Sequence, residues 1–209
     1  MNKPDQKGFK SLTDKRSGKI VVVSHCLLNV HSLEDGLAIY PGIEEDLFRV
    51  LIEKGVGIFQ IPCPEMEVSG IYRKPLPKDN YEHAIIRKKY RQLADSISEQ
   101  LAMFRKKNYE IVAVLGAEVS PTCGISLVGK WKDPVKKGRF PDDIEFVKGM
   151  GVFMEEFKDS LETKGIQPHW IGIPGKSLRA RDARSFEETL LKIKSILYPA
   201  GLNTEIAKK

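Results

Sequence analysis

Short β-branched or aliphatic runs alternate with longer segments of helical periodicity from Lys19 onward, and that alternation constrains the fold more than any other feature. Parallel strands need a long crossover between them, so strands separated by helices form a parallel sheet with helices packed on its faces. Four runs read as strands, at residues 20–24, 56–61, 111–115 and 169–173. The first is an unbroken Ile-Val-Val-Val, as a strand buried on both faces requires. Helical periodicity predicts a helix opened by Pro41-Gly42, acidic in its first turn at Glu44, Glu45 and Asp46 and closed by Gly55. A longer one, at about 82–107, carries Ile86, Tyr90, Leu93, Ile97, Leu101 and Phe104 on one face. A third is expected near 144–164, weakened by Gly149 and Gly151, and a last one behind a Ser185/Glu188 capping box. The expected fold is α/β: one three-layer, Rossmann-like domain over 19–202, with a mainly parallel sheet of about four or five strands. Polar tails are expected at 1–18 and 203–209.

A chain of 209 residues suits one sizeable domain of this kind. Its 41% hydrophobic and 30% charged content is that of a soluble globular protein. No apolar run approaches the roughly 20 residues of a membrane span. The opening Met1-Asn-Lys-Pro-Asp-Gln-Lys has no apolar core of the kind a secretory signal carries. Three cysteines, an odd number, point to reduced cytoplasmic thiols rather than a disulfide framework. The net charge of +6 comes from scattered lysines, which makes a basic solvated surface and no case for nucleic acid. No G-x-G-x-x-G follows the first strand, so a dinucleotide role has no support.

The cysteines are where the chain speaks of function. Cys26 closes the run 19–26, Cys63 closes 56–63 between Pro62 and Pro64, which forbid a helix at that point, and Cys123 lies in Ser120-Pro121-Thr122-Cys123-Gly124 just after the third strand. In an open parallel sheet ligands sit outside the carboxyl ends of the strands, so all three thiols are delivered to one edge. The loop 65–79, with Gly70, Arg73, Lys74, Pro75 and Pro77, is long for a strand-to-helix connection, and such loops are often functional. The basic segment 126–139 reads as irregular, either a flap over the site or a mobile surface loop. Three readings of the thiols stay open at this point. They are buried small hydrophobes, or one is a nucleophile activated by His25 or His31, or together they bind a metal. Paired C-x₂₋₄-C zinc ligands are absent, and thiolates also hold iron–sulfur clusters; spacing does not choose between zinc and iron. A [4Fe–4S] cluster on three cysteines leaves one iron open to polarise a substrate atom.

Taken together, the three segments resemble the thiouracil desulfidase family. Its pattern is a strand ending Ser-x-Cys-Leu-Leu, a Cys-Pro-Glu loop rich in Gly, Arg and Pro, and then Ser-Pro-Ser-Cys-Gly. Here these read Ser24-His25-Cys26-Leu27-Leu28, Cys63-Pro64-Glu65 with Gly70, Arg73 and Pro75, and Ser120-Pro121-Thr122-Cys123-Gly124. The segment 148–154 is similar to a divergent branch of desulfidase-related proteins. The resemblance implies an oxygen-sensitive [4Fe–4S] cluster held by Cys26, Cys63 and Cys123. It also implies removal of sulfur from a small thiolated heterocycle such as a nucleobase, giving the oxo compound and sulfide. Glu65 and Ser120 take the catalytic positions, and Ser24, Asn29, Arg73 and Glu118 those of substrate binding. Departures are Asn29 where glycine is usual, Leu33-Glu34-Asp35-Gly36 in place of Arg-Tyr-Asp-Gly, and Glu118, which rivals Glu65 for proton transfer. The alternatives are a non-catalytic metal- or nucleotide-binding module with structural zinc or iron, and a cluster-based sulfur carrier.

Overall fold

The computed structural model describes residues 15–139, 141–182 and 184–197. Most of the tail expected at 1–18, and all of that at 203–209, lie outside the described residues. Four strands make the central sheet: β1 (Lys19–Ser24), β2 (Gly57–Ile61), β3 (Glu110–Ala117) and a later strand, His169–Ile173. They lie in the order second, first, third, last, and every pairing is parallel. The chain leaves β1 toward one edge and returns to build the other. The switch point therefore falls between β1 and β3.

The first strand shows why the architecture is layered. Val21, Val22 and Val23 are all fully buried, and alternation sends them to opposite faces. Ile20 and Val22 pack with Tyr90, Ile97 and Leu101 of the long helix α4 (Ala84–Lys106) and with Phe153, Phe157 and Leu161 of α5 (Val152–Thr163). Val21 and Val23 pack on the other side with Leu47 and Leu51 of α2 (Glu45–Glu53) and with Phe186, Ile193 and Leu197 of α7 (Ser185–Leu197). Helices thus cover both faces, and the mixed α/β, three-layer reading holds. No described helix is long and apolar enough to cross a membrane.

Several local readings need correcting. The strand at β1 stops at Ser24, and Cys26 belongs to a four-residue helical turn, α1 (His25–Leu28). Residues 62–64 do not exclude a helix. Cys63 is the N-cap and Pro64 the first residue of α3 (Pro64–Ser69), where a proline's missing N–H costs nothing and its fixed φ is already helical. Residues 144–148 are a strand, because Ile-Glu-Phe-Val-Lys alternates in the strand period. It pairs antiparallel with Leu127–Trp131, so these form β4 (Leu127–Trp131) and β5 (Ile144–Lys148), with β6 as His169–Ile173. The basic segment is therefore half hairpin. A short helix, α6 (Lys176–Arg181), follows β6. Ser185 is no N-cap: its hydroxyl donates to Asp182 O at 2.7 Å from inside α7.

The glycines ahead of α5 do have a packing reason. Gly151 N, Val152 N and Met154 N donate to Gly124 O, Pro121 O and Thr122 O at 2.8, 2.9 and 3.1 Å. The unpaired donors of a helix start are thereby satisfied by the turn that carries Cys123. A Cβ on Gly151 would stand 2.3 Å from the Thr122 carbonyl carbon. Gly151→Ala is accordingly expected to destabilise the fold by about 1–3 kcal/mol through overpacking, read as a lower urea midpoint with an unchanged slope.

Candidate functional site

A cleft of about 870 Å³ opens at the carboxyl ends of the strands, and Cys26, Cys63 and Cys123 all line it. Cys26 and Cys63 are half-buried and Cys123 is buried; none forms a disulfide. Each thiol is fixed by a different local device. The Cys26 carbonyl accepts from the Tyr40 hydroxyl at 3.1 Å. Cys63 sits at the N-cap of α3, and the Arg73 guanidinium stands 3.9 Å from its sulfur. Cys123 is set by Ser120, whose Oγ accepts from Thr122 N at 3.3 Å and Cys123 N at 3.0 Å. Val119, just before that turn, adopts φ 62°, a strained conformation for a β-branched residue and the kind found at functional sites.

Behind the thiols lies a buried polar network. Glu65, 6% exposed, accepts on Oε1 from Ser120 Oγ at 3.2 Å and Thr122 Oγ1 at 2.9 Å. Its Oε2 accepts from Arg73 Nε at 3.2 Å and the Tyr81 hydroxyl at 3.5 Å. Arg73 also meets Glu34 Oε1 at 3.0 Å and donates to Ser32 O at 2.7 Å. One guanidinium therefore faces two carboxyl groups. Burial, then the charge of Glu34 and a hydrogen bond from it, push Glu65 well above the usual carboxylate range. Glu65 is thereby biased toward its protonated form beside the Arg73 guanidinium.

Burial also raises the thiols. Cys26 is pushed up to about 12, by burial first and then by the charges of Cys63 and Glu65. Cys123 rises well above its ordinary value, by burial and then by Cys26 and Cys63. Cys63 is raised by burial too, against the lowering effect of the Met66 N–H and Arg73. A nucleophilic cysteine needs a lowered pKa, so these neutral thiols do not support that reading. His25 reaches the cleft but its Nδ1 is bonded to Gln60 Nε2 at 2.8 Å. Buried thiols that raise one another's pKa form a donor set that a bound cation would shift toward the thiolate form.

The remaining candidates divide. Ser24 lines the cleft, is 1% exposed, and its Oγ has no hydrogen-bond partner. Glu118 lines it too, but its carboxylate is saturated: it accepts from the N–H groups of Ile125, Ser126 and Leu127 at 3.1–3.2 Å and from Ser126 Oγ at 2.5 Å. It closes the connection between the Cys123 turn and β4, lying across β6 so tightly that a Cβ on Gly172 would fall 1.9 Å from Oε1. Asn29 is exposed and away from the cleft, its Oδ1 accepting from His31 N at 3.2 Å. Sequence reasoning passed over Glu34, read only as a loop position, and Thr122 and Tyr81, whose hydroxyls look unremarkable until Glu65 is seen between them.

Among the described residues no three His, Cys, Asp or Glu side chains are gathered closely enough to ligate one metal ion. Three soft sulfur donors lining one cleft are of the chemistry that an iron–sulfur group takes. The unpartnered Ser24 Oγ, buried and facing that cleft, is likewise accounted for by an occupant.

Comparison with known proteins gives three matches. A protein described as uncharacterized, MJ0003 of Methanocaldococcus jannaschii, is 29% identical over 175 residues, spanning 84% of this chain and 96% of that protein. The solved structure of a [4Fe-4S]-dependent thiouracil desulfidase, TudS, aligns over 84% of this chain and 97% of its own, with a TM-score of 0.40 and 19% identity. Residues 18–141, which contain all three cysteines and Glu65, match a family described as "Putative 2-thiouracil desulfurase". The chain belongs to that 2-thiouracil desulfurase family.

Proposed function

We propose that this chain is an iron–sulfur-dependent desulfidase that replaces the sulfur of a small thiolated heterocycle, such as a thiolated nucleobase, with the oxygen of water. The observation that carries this reading is the meeting of three thiols from three strand ends in one cleft, with the buried acid Glu65 beside them. A [4Fe–4S] group on Cys26, Cys63 and Cys123 would leave one iron without a protein ligand, and that iron supplies Lewis acidity toward a soft thiocarbonyl sulfur.

The chain's own residues do the rest. Leu33, Leu37, Ile39, Leu76 and Phe146 give the cleft apolar walls, which take a flat ring and exclude bulk water. Ser24 Oγ offers that ring a hydrogen bond. The overall change is thiocarbonyl plus water to carbonyl plus hydrogen sulfide. The attacking water must lose two protons in all and the departing sulfur must gain two, one as the water adds and one as the adduct collapses. Glu65, its carboxyl biased toward the protonated form by burial, can carry these protons from the oxygen to the sulfur. Ser120 and Thr122 orient Glu65 Oε1, and Ser120 is the hydroxyl through which the proton passes. Arg73, its side chain only 3% exposed, acts on Glu65 and Cys63 rather than on substrate. Glu118, with its lone pairs taken, holds the cleft wall in shape.

Anaerobic purification tests the reading first. Iron and acid-labile sulfide are each expected near four per chain, with a broad absorbance that bleaches in air. Sulfide release from 2- or 4-thiouracil should follow, and Cys→Ser at any of the three thiols should abolish both. One zinc per chain without labile sulfide would instead establish a structural metal module. A full cluster that frees no sulfide from any thiolated base would leave a sulfur carrier. Glu65→Gln should retain iron yet lower the rate of sulfide release about 10²–10⁴-fold, the usual worth of general acid–base catalysis. In the metal-free protein the three thiols should react with iodoacetamide at pH 7 at least tenfold more slowly than the urea-unfolded chain, because raised pKa values leave little thiolate. Raising the pH should speed the reaction, and reaction of the folded chain as fast as the unfolded one would contradict the burial of these groups.

A further inference from the structure

The β4–β5 hairpin turns one of its two faces to the cleft. Its register sets Gly129 opposite Phe146 and Trp131 opposite Ile144. Side chains alternate along a strand, so Gly129 and Trp131 share a face with Ile144 and Phe146. Gly129, Ile144 and Phe146 of that face line the cleft, and none of Val128, Lys130, Glu145 and Val147 on the opposite face does. A phenyl ring thus stands in the middle of the wall that the hairpin contributes.

Among the described residues, three aromatic side chains line the cleft: His25, Tyr40 and Phe146. The His25 ring is bonded to Gln60 at 2.8 Å, and the Tyr40 hydroxyl to the Cys26 carbonyl at 3.1 Å. Phe146 has no polar atom to commit, and it is half-buried rather than packed into the core. The Arg181 guanidinium carbon stands 4.7 Å from the centre of its ring, a cation–π contact that covers one face and holds the ring in place. A side chain directly opposite on the hairpin would have its Cβ about 5 Å from that of Phe146, but Gly129 has none. No positive φ demands glycine at 129. A Cβ there would meet the Ile144 Cγ2 methyl at 3.1 Å and the Val119 carbonyl oxygen at 4.0 Å, so no backbone atom shuts a side chain out. What the glycine leaves is a bare flank of the Phe146 ring inside the cleft.

We propose that Phe146 is a specificity-determining, substrate-binding residue: its ring, backed by Arg181 and bare on the Gly129 side, stacks on the flat ring of the thiolated heterocycle. This rests on the desulfidase reading above and adds to it the residue that recognises the ring. An offset-stacked aromatic pair gains more than area burial alone supplies, so an aliphatic wall of equal size would not replace it. The contact is made alike in the ground and transition states, and it therefore sets KM rather than kcat.

The full-length protein, loaded anaerobically with iron and sulfide, is compared with Phe146→Leu, Phe146→Tyr and Gly129→Val. Leucine keeps an apolar wall without a ring face, and tyrosine keeps the ring. Valine fills the space opposite Phe146 and leaves Phe146 itself in place. Phe146→Leu and Gly129→Val should each raise KM for 2-thiouracil about tenfold, the usual worth of one stacked base, with kcat little changed. Both should weaken the binding of uracil by the same factor, read by calorimetry; uracil lacks the sulfur and so reports the ring contact alone. Phe146→Tyr should match wild type in both. An unchanged KM and uracil affinity in Phe146→Leu would overturn the inference, because any apolar surface would then suffice. If that variant does not fold, Gly129→Val decides, and unchanged constants there overturn it equally. A wild-type protein that frees no sulfide from 2-thiouracil overturns the desulfidase reading and this inference together. Sulfide release with the same constants in wild type and variants overturns this inference alone.

Discussion

The contact on which the site rests is the one that Arg73 makes with the groups around its guanidinium. A single guanidinium reaches Glu65, Glu34, the Ser32 carbonyl and the Cys63 sulfur. These belong to the loop after β1 and the loop after β2, and Glu65 carries the linkage on to Ser120 and Thr122 after β3. Burying a charge of this kind costs several kcal/mol before pairing is counted. The arrangement offsets that cost by giving the guanidinium several acceptors at once. Such a network contributes little net stability compared with well-packed carbon. What it supplies is geometry: three loops that would otherwise move independently are tied to one cation.

The acid–base state of the site follows from the same crowding. Glu65 and the three thiols share a volume with the Arg73 guanidinium, and burial first, then their mutual repulsion, biases each toward its neutral form. A pocket in that state resists becoming more negative by itself, and it answers strongly to a cationic occupant, which would take the thiols to thiolate. Repulsion among buried donors is therefore a selective device, favouring occupants that carry positive charge over neutral molecules.

How much of this was legible in the sequence depended on whether a signal was local. The four parallel strands announced themselves through unbroken β-branched runs, and the thiols through their place at the strand ends. What failed were two inferences from single residues. Pro64 was read as a helix breaker, although at the first helical position it is a helix starter. The stretch 144–148 was read as the start of a helix, although the spacing of two between Ile144 and Phe146 fits a strand equally well, and only the partner Leu127–Trp131 decides it. Glu34 was invisible for a different reason. Its burial comes from Arg73, 39 positions later, a pairing no local pattern encodes. Glu118 shows the converse: its type and position suggested chemistry, but five donor contacts from residues 125–127 occupy it as a fastener.

The cleft is built in two storeys. Its floor, with Cys26, Cys63, Glu65 and Cys123, comes wholly from residues within the matched span 18–141. Much of its rim lies beyond that span: Ile144 and Phe146 on β5, then Pro174, Lys176, Arg179, Ala180 and Arg181 after β6. Arg181 stacks on the Phe146 ring at 4.7 Å, so the two rim pieces brace each other without touching the floor. Mutational drift in the upper storey can reshape the mouth while the ground plan stays put, which lets a lineage trade one guest for another and still inherit the same chemistry.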